Sequence, residues 1–99
     1  MKSREFLQVD PASLRLPGSR RDGADPLKLQ RQFSRFGKSI VGMPPLVVKR
    51  GTDGELMIYD GVTRATRVAK HLPGTMITVE VTGHLHIPVG DQPKIGDTR

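Results

Sequence analysis

The residues best suited to chemistry stand at a strand-to-helix junction at positions 60–64. Gly61 lets the backbone turn sharply, and the first N–H groups of the helix that follows then point outward without partners. Together with the positive end of the helix dipole, such groups bind anions. The Thr63 hydroxyl and the guanidinium of Arg64 or Arg67 complete the predicted phosphate-binding site. The alternative is an ordinary helix start, capped by the preceding aspartate, with the arginines in solvent.

Carboxylates near this junction are the candidates for catalysis. The nearby acids are Asp53, Glu55, Asp60 and Glu80. Glu55 and Asp60 are the candidate catalytic residues, because metal-dependent cleavage of phosphodiesters uses clustered carboxylates to hold divalent cations such as Mg²⁺ or Mn²⁺. The alternatives are solvated acids and, for Asp60, a helix cap. His84 and His86 share one face of an extended segment, but no third ligand stands near them, so no metal ligand is assigned.

The excess of positive charge lies in one part of the chain. The sequence has 16 Lys+Arg against 10 Asp+Glu, a net charge of +6. Residues 15–50 hold nine basic residues against two acidic ones, so the rest of the chain is close to neutral. Such asymmetry is typical of proteins that bind polyanions, although a solubilising face is the alternative. The predicted nucleic-acid contacts are Arg15, Arg20, Arg21, Lys28, Arg31 and Arg35.

Composition excludes several classes of protein. The chain has 99 residues and no cysteine, which excludes disulfides, cysteine zinc sites, iron–sulfur clusters and thiol catalysis. Four aromatic residues are too few for a platform that stacks single-stranded bases. The longest apolar run has four residues, at 56–59, which predicts no membrane span and a soluble, cytoplasmic protein.

The first half of the chain positions the basic residues on a helix. A short strand at 6–9 leads into a basic loop at 11–25. The aspartate–proline pair at 25–26 begins the helix, and Gly37 ends it. Its apolar stripe consists of Leu29, Phe33 and Phe36, and its basic ridge consists of Lys28, Arg31 and Arg35. A connector at residues 38–45 follows.

The second half predicts a hairpin, a helix and a last strand. The hairpin strands lie at 46–48 and 56–59, and the second of them, apolar throughout, is predicted to be central and covered on both faces. A helix from residue 62 and a half-exposed strand at 76–82 follow. The predicted fold class is therefore α+β, a small single domain at 1–82 whose helices pack on one mixed sheet. Residues 83–99 are predicted to form an extended tail.

Residues 7–82 resemble the N-terminal domain of the ParB family of chromosome- and plasmid-partitioning proteins, whose fold is shared with sulfiredoxin and ParB-like nucleases. The order of strand, Pro/Arg loop, glycine-ended helix, strands and glycine-led helix start matches throughout. The resemblance implies phosphate binding at Gly61 and Arg64, with Thr63 beside them. It also implies DNA as the partner, with nuclease activity and a divalent cation as further expectations. The alternatives are an ATP- or CTP-binding phosphotransfer enzyme or switch, and a basic protein-interaction module.

The junction departs from the motifs of both relatives. ParB proteins that bind CTP carry Gly-Glu-Arg-Arg, whereas Val62 and Thr63 stand at the middle positions here. Sulfiredoxin carries Gly-Cys-His-Arg, so the valine removes the thiolate that its chemistry requires. At 99 residues we expect neither the helix-turn-helix nor the dimerisation domain of partitioning proteins.

Overall fold

The described part of the chain contains four strands and two α-helices, in the order that the sequence predicts. In a computed structural model, residues 4–20 and 22–97 are described. The elements are β1 (Glu5–Val9), α1 (Pro26–Phe36), β2 (Leu46–Arg50), β3 (Leu56–Asp60), α2 (Val62–His71) and β4 (Ile77–His84). Short 3₁₀ turns lie at Pro11–Ser13, Gly18–Arg20 and Ile95–Asp97.

The strands form one mixed sheet with the order β1-β4-β2-β3. β1 pairs with β4 and β2 with β3 in antiparallel fashion, whereas β2 and β4 run parallel, with Leu46 opposite Val79. A parallel pair cannot be joined by a tight turn, and the chain reaches β4 from the hairpin through α2. The α+β fold class with a mixed sheet is therefore confirmed.

The position of β3 differs from the prediction. It is an edge strand, because β4 inserts between β1 and β2 and leaves β3 with only β2 beside it. Ile58 is buried, but Tyr59 on the opposite face is 69% exposed. An isolated bridge from Arg15 to Met57 covers part of the free edge. A short apolar run cannot reveal the strand order, which depends on pairing with distant segments.

The core lies between one face of the sheet and α2. The sheet contributes Leu46, Val48, Ile58, Ile77, Val79 and Val81, and α2 contributes Val62, Ala65 and Val68. α1 begins with the side chain of Asp25 accepting from the Leu27 amide, and Gly37 ends it, both as predicted. No residue of α1 is fully buried. The helix lies against α2, where the centroids of the Phe33 and His71 rings are 4.2 Å apart.

Residues 83–97 of the predicted tail pack against the rest of the domain, and residues 98 and 99 lie outside the described part of the chain. β4 continues to His84, and Val89 and Ile95 are buried. The Ile95 amide donates to the Leu14 carbonyl at 2.9 Å, and the Leu16 amide donates to the Pro93 carbonyl at 2.8 Å. The early loop thus supplies both apolar surface and backbone partners for residues 85–97. This pairing of two irregular segments has no periodicity that a sequence could reveal.

Neither α1 nor α2 could span a membrane. At 11 and 10 residues, both helices of the described part are shorter than the roughly 20 apolar residues that a bilayer requires.

Candidate phosphate-binding cleft

A cleft of about 580 Å³ opens beside the N-terminus of α2. One wall contains Arg20 from the second 3₁₀ turn and Lys28 and Gln32 from α1. The other wall consists of residues 57–64, from β3 through the first residues of α2. The structure therefore brings two of the predicted nucleic-acid contacts to the junction that sequence reasoning assigned to phosphate.

The start of α2 lacks the cap that Asp60 was expected to supply. Gly61 is the N-cap residue, with a φ of 112°, and no side chain caps the helix amides. A Cβ atom at this position would overlap Leu46 Cδ2, so both the backbone conformation and the close approach require glycine. The amides at this end are thus left for an anion or solvent, with the helix dipole favouring the anion.

Arg64 lines the cleft and has two partners, a backbone carbonyl and a loosely held carboxylate. Its Nη2 atom lies 3.6 Å from the Asp60 carboxylate, and its Nη1 atom donates to the Pro44 carbonyl at 3.2 Å. The Asp60 side chain is largely exposed, so this ion pair is worth little in water. An incoming phosphate can therefore compete with Asp60 for the guanidinium. Thr63 lines the same cleft, and its phosphate-binding role stays a prediction.

Arg67 does not line the cleft, in contrast to its predicted phosphate role. Its side chain is 1% exposed, and Nη1 donates to the carbonyls of Gly37 and Ser39 at 2.9 and 2.8 Å. The Phe36 ring lies 5.4 Å from the guanidinium carbon. Burial lowers the pKa of Arg67 below its ordinary value. Arg67 therefore links α1 and the connector to α2. Helical spacing alone predicts an exposed side chain at this position, but α1 and the connector form a second layer that covers it.

Arg15 and Glu55 are paired with each other. The Arg15 Nη2 atom lies 3.0 Å from Glu55 Oε1, and Nη1 donates to the Gln92 carbonyl at 3.0 Å. This cluster joins the early loop, the hairpin and the C-terminal segment, and neither residue lines the cleft. The predicted roles of Arg15 on nucleic acid and of Glu55 in catalysis therefore do not coincide with this cleft.

The two predicted catalytic acids are far apart. Glu55 directly precedes β3 and Asp60 is its last residue. At about 3.3 Å per residue, their Cα atoms are about 16 Å apart. Ligands of one divalent cation lie within about 2.6 Å of it, so these carboxylates cannot share an ion. Within the described ranges, no group of three or more His, Asp or Glu side chains could hold a metal.

The basic ridge of α1 continues the positive surface away from the cleft. Lys28, Arg31 and Arg35 are exposed, and no carboxylate among residues 4–20 and 22–97 forms an ion pair with any of them. A shallow groove lined by this ridge and by Thr63 joins it to the start of α2. Arg21 lies outside the described residues.

Sequence reasoning missed Gln32 and Tyr59, which also line the cleft. Gln32 follows Lys28 by four residues, so helical periodicity places both on one face of α1. Tyr59 directly precedes the junction. No protein-family model matches the chain, and neither does any curated protein. The chemistry of the cleft is therefore the basis for assigning a function.

Proposed function

We propose that this chain binds DNA through its phosphates, with the cleft as the docking point and the basic ridge as the surface that extends the contact. The observation that carries the proposal is the convergence of the uncapped α2 N-terminus with Arg20 and Lys28 in one cleft. Helix amides and unpaired cations are the groups that bind phosphate in proteins. The resemblance of Gly61 and Arg64 to the ParB motif supports the same assignment.

In this proposal the cleft and the basic ridge contact different phosphates. One phosphate meets the helix amides and Arg64, where it displaces the weak contact with Asp60. Neighbouring phosphates follow the ridge through Arg31 and Arg35. Contacts of this kind provide affinity that depends on salt, but little choice of sequence. DNA cleavage is not part of the proposal, because the two candidate acids cannot share a cation.

A nucleotide-binding enzyme or switch is the second candidate. The cleft volume of about 580 Å³ falls within the range of about 300–1,000 Å³ of small-molecule sites, and the same helix start would hold the triphosphate of ATP or CTP. Melting curves with each nucleotide, set beside DNA titrations, separate the two candidates. Stabilisation by a nucleotide, with DNA binding undetectable at low salt, would contradict the first.

The decisive variants are Arg64→Ala and Lys70→Ala. Both remove one positive charge from α2, but Lys70 is exposed near the far end of the helix. Fluorescence anisotropy with a labelled duplex at low salt should show about tenfold or greater loss of affinity for Arg64→Ala, since a charge-assisted hydrogen bond contributes about 1.5–3 kcal/mol. Lys70→Ala should bind within about twofold of the parent. Equal, small effects would indicate a diffuse charge effect and no docking point.

A further inference from the structure

The two edges of the sheet differ in how they are covered. The outer edge of β3 is bridged by the early loop, where the Arg15 amide donates to the Leu56 carbonyl and the Ile58 amide donates to the Arg15 carbonyl, both at 2.9 Å. β1, at the other end, pairs with β4 alone. Among residues 4–20 and 22–97, no backbone group pairs with its outer edge. Alternate N–H and C=O groups of β1 therefore point away from the sheet, where a further strand can bind them.

β1 also carries apolar side chains that the rest of the chain covers incompletely. Phe6, on the sheet face away from α2, is 45% exposed. Leu7 packs against the core but is only partly buried, whereas Val79, opposite it on β4, is fully buried. A strand added beside β1 would cover both side chains. The free edge therefore suits a strand that has apolar side chains on both of its faces.

The sequence of β1 is complementary to a second copy of itself. In an antiparallel pair centred on Leu7, Phe6 of one copy lies opposite Gln8 of the other. Arg4 then lies opposite Asp10, once at each end of the paired strands. Opposite residues share a face of the sheet, and opposite charges at such positions stabilise the pair. Centring the pair one residue earlier or later places neither charge opposite its counterpart.

Both charged side chains keep an atom for this contact. Glu80 accepts from Nε and Nη2 of Arg4, which leaves Nη1 without a hydrogen bond in the described part of the chain. The Asp10 Oδ1 atom accepts from the Ala12 amide at 3.0 Å, so Oδ2 faces no donor of residues 4–20 or 22–97. Each exposed ion pair adds little affinity but favours this register over the shifted ones.

We propose that two copies of this chain dimerise through β1, in an antiparallel pair centred on Leu7 that joins their sheets into one of eight strands. The two-fold axis is perpendicular to the sheet, so the helices of both copies lie on the same face of it. Backbone hydrogen bonds hold the two edges together, and Phe6 and Leu7 supply apolar contacts on the two faces. The dimer does not depend on the proposed function.

Sedimentation equilibrium over a series of protein concentrations measures the dimer, and charge variants test its register. Phe6→Lys combined with Gln8→Lys places two lysine pairs across the interface, and we expect the dimer Kd to rise about tenfold or more. Phe6→Lys combined with Gln8→Glu places lysine opposite glutamate instead and should bring Kd to within about threefold of the parent. The control is Thr52→Lys with Thr82→Lys, at exposed positions away from β1. It adds the same charge as the first variant and should leave Kd within about twofold at physiological salt.

Cysteine cross-linking tests the same register without added charge. The chain has no cysteine, so an introduced thiol is the only one present. Directly opposite residues have Cα atoms about 4.5–5.5 Å apart, which suits a disulfide, whereas diagonal neighbours are about 7–8 Å apart. Under mild oxidation, a mixture of Phe6→Cys and Gln8→Cys should therefore cross-link about tenfold faster than either variant alone.

A parent chain that stays monomeric at every concentration would overturn the proposal. A dimer that the opposed lysines leave intact, or that glutamate at position 8 does not restore, would overturn it as well. Equal cross-linking by the mixture and by each cysteine variant would do the same. None of these outcomes bears on DNA binding by the cleft, which the comparison of Arg64→Ala with Lys70→Ala tests separately.

Discussion

At the scale of single residues, Gly61 determines the shape of the cleft. Its φ of 112° lies in the left-handed region, and its Cα faces Leu46 on the neighbouring strand so closely that no side-chain atom fits. The same turn places the first residues of α2 in the cleft that Arg20 and Lys28 also line. One residue therefore couples the stability of the fold to the geometry of the site.

Gly61→Ala should lower the free energy of unfolding by about 2–5 kcal/mol. The left-handed backbone costs about 1–2 kcal/mol, and overpacking against Leu46 adds about 1–3 kcal/mol. Gly74→Ala is the matched control, because Gly74 has a φ of 85° but open space where its Cβ would lie. In urea unfolding, Gly74→Ala should lower the free energy of unfolding only by the cost of the left-handed backbone, about 1–2 kcal/mol. Equal losses would contradict the close approach to Leu46.

Substitutions at Arg67 and Arg31 should affect different properties: the first should lower stability, and the second should weaken DNA binding. Arg67→Ala leaves the Gly37 and Ser39 carbonyls without their buried donor, and we expect it to destabilise the fold by about 3 kcal/mol. Arg31→Ala, on the exposed ridge, should change stability by no more than about 0.5 kcal/mol and instead weaken DNA binding. Thermal melts and anisotropy on both variants test this. A destabilising Arg31→Ala would contradict the placement of the ridge in solvent.

At the scale of elements, the β2–β3 turn and the C-terminal segment hold each other in place. The Asp53 carboxylate accepts from the Gly90 amide at 2.7 Å and from the Val89 amide at 3.3 Å. Desolvation raises the pKa of Asp53, but the backbone hydrogen bonds from Gly90, Val89 and Glu55 together bring it below its usual value of 3.8. The ionised form of Asp53 therefore stabilises the docked segment.

Asp53→Asn should lower Tm at pH 7, because an amide NH₂ cannot accept the Gly90 hydrogen bond. Since the folded pKa is depressed, the contribution of Asp53 is complete above pH 3.8 and is lost as the pH falls through the folded value. The Tm difference between parent and variant should therefore narrow only below pH 3.8. Melting curves from pH 7 to pH 2.5 measure it. A difference that narrows between pH 7 and pH 5 would contradict the assignment to Asp53.

At the scale of the whole molecule, charge is segregated in space as well as in sequence. Arg20 and the α1 bases Lys28, Arg31 and Arg35 face the cleft or the solvent, whereas Arg4, Arg15 and Arg50 are tied to Glu80, Glu55 and Glu5. Formal net charge therefore overstates the number of arginines free to meet a polyanion. Four cations without an ion pair, namely Arg20, Lys28, Arg31 and Arg35, line the cleft or the adjoining groove beside the start of α2.

The salt dependence of DNA binding should distinguish free from paired cations. Lys28→Ala should reduce the slope of log K against log salt by about one, because each phosphate contact on a duplex releases about 0.9 counterions. Arg15→Ala removes the same formal charge, but that guanidinium is engaged by Glu55 and Gln92, so its slope should stay unchanged. Anisotropy titrations over a series of salt concentrations measure both slopes. Identical slopes for both variants would contradict this distinction.

Local chemistry made much of the fold predictable from the sequence. The aspartate–proline start and glycine end of α1, the hairpin turn, and the alternation along β4 depend on residues close together in the chain. The segregation of charge and the candidate site at Gly61 and Arg64 could be inferred in the same way. These features follow from helix capping, turn chemistry and side-chain periodicity, which involve only neighbouring residues.

Only the tertiary structure decided which predicted features meet. It placed β3 at the edge of the sheet, buried Arg67 under the connector, and docked residues 85–97 on the early loop. It also brought Arg20 and Lys28 to Gly61, which lies more than 30 positions further along the chain. Strand order, burial by a second layer and the pairing of irregular segments depend on contacts between residues far apart in sequence. Periodicity does not encode such contacts, so the site's residue types were evident from the sequence, but the composition of the cleft was not.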